Sequence, residues 1–108
     1  MLARAVLLLI VSFFSRNAFA GDTEQLCTSG GYYSGAQVHF MSELVMHILQ
    51  KRGELGDKKC TALWQAAYEV GERLSKTGKM KPEDVAIMKD VINFRSRIYS
   101  SIAKSAGY

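Results

Sequence analysis

Apolar residues recur at helical spacing in three stretches of the chain. From Asp57 to Lys76, at about 100° per residue, Cys60, Leu63, Trp64, Ala67, Val70, Gly71 and Leu74 fall on one arc, and Thr61, Gln65, Glu69, Glu72, Arg73 and Lys76 on the other. The pattern predicts an amphipathic helix with Asp57 as its N-cap and Gly78 as a left-handed C-terminal cap. Residues 36–52 carry a second apolar face, built from Val38, Phe40, Met41, Leu44, Val45, Ile48 and Leu49, with Gly53 as its stop. A third helix is announced by Pro82, Glu83 and Asp84, because proline suits the first helical position and acids suit the first turn. Gly107 closes it and leaves Tyr108 as the terminus. No segment alternates as a strand does, and no internal repeat is present. The expected fold class is therefore all-α: a small three-helix bundle with a disulfide-tethered N-terminal arm, following an N-terminal signal peptide.

Within that bundle the helix from Asp57 to Lys76 reads as the hub. The short connection Glu54 to Gly56 predicts that the first two helices lie as antiparallel neighbours. Gly71 sits inside the apolar arc, where it costs about 1 kcal/mol of helix propensity, so it predicts a close crossing by another helix, with a bend at that point as the alternative. The third helix has an unusually broad apolar surface: Val85, Met88, Ile92, Tyr99 and Ile102 make one stripe, which Val91, Phe94 and Ile98 extend. The expected use of that width is packing on both neighbours. Its other use is a strip left over for a partner or a homodimer.

Residues 21–35, GDTEQLCTSGGYYSG, show no helical period and are rich in Gly, Ser and Thr, which predicts an extended or looping arm. Tyr32 and Tyr33, flanked by glycines, are expected to cover the open end of the core; the alternative is an exposed aromatic recognition loop. On the recognition reading the candidate partner-binding residues are Tyr32, Tyr33, Phe94 and Ile98.

The first twenty residues change the picture of where the chain works. Arg4, an apolar run from Ala5 to Phe14, and a polar region ending Ala18, Phe19, Ala20 match the three regions of a secretory signal peptide cleaved before Gly21. The run is short of the ~20 residues that span a bilayer, so no stable membrane insertion is expected after cleavage. The organisation is then a cleavable signal peptide over 1–20, an arm over 21–35 and a helical bundle domain over 36–108. The 108 residues less the first 20 leave a mature chain of 88, small enough that its core alone is marginal. Export to the periplasm or beyond exposes Cys27 and Cys60 to an oxidising compartment, where such a pair forms a disulfide.

Charge and candidate chemistry then narrow the function. The formal charge of +4 arises from 14 basic and 10 acidic residues; Arg4 and Arg16 leave with the signal peptide and reduce it to +2. Without a basic footprint, nucleic acid is not an expected partner. The basic run Arg73, Lys76, Lys79 and Lys81 reads as a solvated helix end. His39, Glu43 and His47 stack at four-residue spacing, but two turns separate the histidines by about 12 Å, too far to share one ion, so no metal or other cofactor is expected. No nucleophile elbow, phosphate loop or paired acid–base set is present, and an enzyme is not expected. In layout, a signal peptide before a short helical domain with one long-range disulfide, the chain resembles small bacterial periplasmic helper proteins, including acid-stress chaperones, inhibitors and immunity proteins. The expected function is an exported, non-catalytic interaction protein with a protein partner in the cell envelope: an inhibitor or immunity-type protein, or an accessory factor of a secretion or conjugation machine. The alternative is a periplasmic stress chaperone that exposes apolar helix faces on acidification near the histidine range.

Overall fold

The computed structural model describes residues 23–107. The signal-peptide reading of 1–20 lies outside these residues. Among the described residues four α-helices follow one another: α1 (Thr23–Gly35), α2 (His39–Lys51), α3 (Lys58–Thr77) and, after a 3-10 turn at Pro82–Asp84, α4 (Val85–Ser105). The fold is all-α, with no strand among the described residues, and Cys27 and Cys60 are disulfide-bonded.

Several ends match what their residues dictate. Asp57 caps α3, its carboxylate accepting from the Cys60 amide at 3.0 Å, and Gly78 ends the helix at φ 68, a conformation that costs glycine nothing. Pro82 opens the turn that leads into α4. The arm departs from expectation. Thr23–Gly35 is a helix, so the bundle has four helices rather than three with an extended arm. It ends in a Schellman-type turn, in which the Val38 amide donates to the Tyr33 carbonyl and the Gln37 amide to that of Ser34, with Gln37 at φ 61 where glycine usually stands.

Helix α1 lacks an amphipathic pattern because it has almost no solvated face. Leu26, Cys27, Thr28, Ser29, Gly30, Gly31, Tyr33 and Gly35 are all buried. It alone packs substantially on each of the other three helices, so α1 and not α3 is the hub. The expected α2–α3 neighbourhood is correspondingly slight, since both helices pack chiefly on α1. Helix α2 runs antiparallel to α1: Thr23 meets Arg52 and Glu54 at one end, and the Ser34 and Ser42 hydroxyls meet at 2.7 Å at the other. Helix α3 runs parallel to it, with Cys27 bonded to Cys60, Gly31 against Trp64 and Gly35 against Tyr68 at successive turns.

That parallel crossing is close because its contact residues are small. A Cβ at Gly31 would lie 2.1 Å from the Trp64 carbonyl oxygen, one at Gly35 2.1 Å from that of Tyr68, and one at Gly71 2.2 Å from that of Tyr32. Backbone thus lies on backbone, and the predicted crossing at Gly71 has α1 as its second helix. Leu26, Leu44, Val45, Ile48, Leu49, Phe94 and Ile98 complete a fully buried core around this pair. The disulfide, whose cysteines are 33 positions apart, contributes about 3 to 4 kcal/mol in the chain-entropy account, a large share for a domain this small.

Candidate interaction surface

Helix α4 carries two apolar stripes side by side. Ile87, Val91, Phe94 and Ile98 turn inward, and the last two are fully buried. Val85, Met88, Ile92, Tyr99 and Ile102 form the second stripe, about a quarter-turn away, and it faces solvent. Ile92 is 56 % exposed, Tyr99 55 %, Val85 41 % and Ile102 36 %, with Met88 half-buried. The breadth of this helix therefore does not serve two neighbours, as expected from the sequence: α4 packs chiefly on α1, and the outer stripe is left uncovered.

The candidate residues divide accordingly. Phe94 and Ile98 belong to the core, because their stripe is the one that meets α1, and they present no surface to a partner. Tyr33 is buried as well, and burial pushes its phenol above the usual tyrosine range, offset in part by the nearby Arg95 charge. Tyr32 is half-buried, with its ring edge-on to Tyr33 at 5.4 Å between centroids. The tyrosines sit within a helix, so they form no loop. The residues available for contact are their sequence neighbours on the outer stripe, already visible as a stripe in the sequence. Arg95, which sequence reasoning passed over, lies inside it, its guanidinium carbon 5.3 Å from the centre of the Tyr99 ring. The phenol of Tyr99 strengthens the charged form of Arg95. The signal that locates Arg95 is recurrence at seven: Val85, Ile92 and Tyr99 form one series, and Met88, Arg95 and Ile102 the other.

An ion pair fixes the start of α4. Asp84 is buried and pairs with Arg73 of α3, and it also accepts from the Lys81 amide at 2.9 Å. The Arg73 bond, followed by the Lys81 bond, holds the Asp84 carboxyl below the usual carboxylate range. Arg73 is thereby removed from the basic run read as a solvated helix end, while Lys76, Lys79 and Lys81 remain exposed. On α2, His39, Glu43 and His47 all stand exposed, and among the described residues no three His, Cys, Asp or Glu side chains are placed to hold a metal. No described helix is long and apolar enough to cross a membrane.

No protein-family model matches the chain, and no curated protein or solved structure matches it either.

Proposed function

We infer that this is an exported, non-catalytic interaction protein that offers the outer stripe of α4 to a protein partner in the cell envelope, as an inhibitor, an immunity-type protein or an accessory factor of a secretion or conjugation machine. The observation that carries the reading is the uncovered row of Val85, Ile92, Tyr99 and Ile102 on a helix whose other stripe already supplies the core. An apolar row that folding does not use costs solubility, which a binding role explains. The Cys27–Cys60 bond fits an oxidising compartment. Photo-crosslinking in the producing organism tests the reading: a photoreactive residue at Ile92 or Tyr99 yields a discrete adduct, and one at the exposed Thr61 of α3 does not. Absence of adducts along α4, or recovery of the chain reduced and uncleaved from the cytoplasm, removes the reading.

A second reading, the acid-stress chaperone, draws support from the buried Asp84 carboxylate. Protonating it breaks the pair with Arg73 at the point where α4 begins, and loosening there uncovers Val91, Phe94 and Ile98. His39 and His47 bury no imidazole, so the opening belongs below the ordinary carboxylate range and not to the histidine range. Suppression of client aggregation at pH 3 but not at pH 6 supports this reading; a protein that is inert at both removes it.

A further inference from the structure

We propose that the outer stripe of α4 is the seat of an acidic amphipathic helix of the partner, laid lengthwise along it. This rests on the interaction reading above and adds the partner's form and charge. The form follows from spacing. Val85, Met88, Ile92, Arg95, Tyr99 and Ile102 alternate steps of three and four residues without a break, which is the seam that one helix presents to another in knobs-into-holes packing. A strand or an irregular peptide has no use for that period. The seam runs the length of α4, about 26 Å from Val85 to Ile102, enough for a partner segment of some five turns. Its outer edge is formed by the exposed Lys89 and Ser96 and the half-buried Ala103, of which the last two are small enough to admit a second helix closely.

The charge follows from what the seam contains. Arg95 stands within the apolar row and not at its rim, and covering it with an apolar surface strands a cation; a carboxylate at the facing position forms a charge-assisted pair with it. On the flank of the seam Lys89 adds to the bias, while Arg97, Lys104 and the one acid of the helix, Asp90, lie on its far face. A second copy of α4 brings the same excess of positive charge and sets another Arg95 near the first, so self-association along this seam is disfavoured. An anionic bilayer attracts the same lysines, but a helix lying in a membrane keeps its cations at the border of the apolar face, and Arg95 is in the interior of this one.

The test uses the purified oxidised protein and two synthetic helices stapled to hold their fold. Both carry leucine at the seam positions. One places glutamate opposite Arg95 and along its flanks, and the other lysine at the same positions. The acidic peptide is expected to bind at least tenfold more tightly than the basic one, with amide shift changes centred on Ile92, Arg95 and Tyr99. Arg95→Glu reverses the order of the two peptides, and Ile92→Glu weakens both; because both residues are exposed, the variants keep the wild-type circular dichroism, and Arg95→Glu lowers Tm by no more than the few degrees that loss of the Tyr99 contact accounts for. Equal binding of the two peptides, or shifts away from α4, overturns the proposal. So does sedimentation as a dimer that Ile92→Glu dissolves, or binding to phosphatidylglycerol vesicles with no response to either peptide. A cellular adduct formed at Ile92 through a basic or non-helical segment of a partner overturns it while leaving the interaction reading intact; the absence of any adduct on α4 removes both.

Discussion

Replacing Gly31 with alanine separates two effects of opposite sign. In an isolated helix the change stabilises by about 1 kcal/mol, because alanine is the better helix former. In this fold the new methyl carbon lies 2.1 Å from the Trp64 carbonyl oxygen and 2.7 Å from the Trp64 Cα, so the obstruction is backbone, and no rotamer change relieves it. Relief requires α1 and α3 to part by more than an ångström, which the Cys27–Cys60 bond one turn away resists. Overpacking of this kind costs about 3 kcal/mol, the upper part of its usual range, leaving a net loss of about 2 kcal/mol after the propensity gain. In a domain of this size that lowers Tm by roughly 8 to 16 °C. The assay is urea and thermal unfolding of the oxidised protein by circular dichroism, with Gly56→Ala as control because nothing lies within 4 Å of a Cβ there. A Gly31→Ala protein as stable as wild type, or more so, refutes the close parallel crossing.

Three further outcomes are expected. Cys60→Ser lowers stability by about 3 to 4 kcal/mol under oxidising conditions, and an unchanged melting curve contradicts the tether between α1 and α3. On α4, Phe94→Ala costs about 3 to 5 kcal/mol while Ile92→Ala stays within about 0.5 kcal/mol in the same unfolding assay; similar costs at both positions deny the division of the helix into a buried and a free stripe. Asp84 has its folded pKa depressed, so its stabilising contribution is present above the ordinary carboxylate range, near pH 4, and is lost as pH falls through the folded value. Wild type therefore melts above Asp84→Asn at pH 6, and the gap narrows as the pH falls below the ordinary carboxylate range, whereas a gap that stays constant down to acid unfolding denies the linkage.

Much of this architecture could be read from the chain because the helices with one wet face advertise themselves. Helix α3 has a polar arc, an aspartate at its cap and a glycine at its left-handed end, and its bounds lie within a residue of those expected. Helix α1 could not be read in the same way. Its environment is protein on nearly every side, so hydrophobic and polar positions do not alternate around it, and its glycines resemble loop punctuation although they are contact surfaces. The actual stop is Gln37, a residue that gives no such signal. One clue was present in Gly71, whose place on the apolar arc of α3 called for a helix pressed against it; Gly31 and Gly35, one turn apart, were the matching half. On α4 the stripes were legible but their fates were not, since Phe94 and Ile92 are equally apolar and only the position of α1 decides which is covered.

The central claim is that α1 is a buried helix on which the rest of the chain is assembled. Hydrogen exchange of the oxidised protein, resolved by residue, tests it most directly. Amides from Cys27 to Gly35 are expected to exchange among the slowest in the molecule, as slowly as those of the core stretch of α3, because they open only with global unfolding. Rapid exchange across this segment while α2, α3 and α4 remain protected describes an arm tethered at Cys27, and contradicts the account.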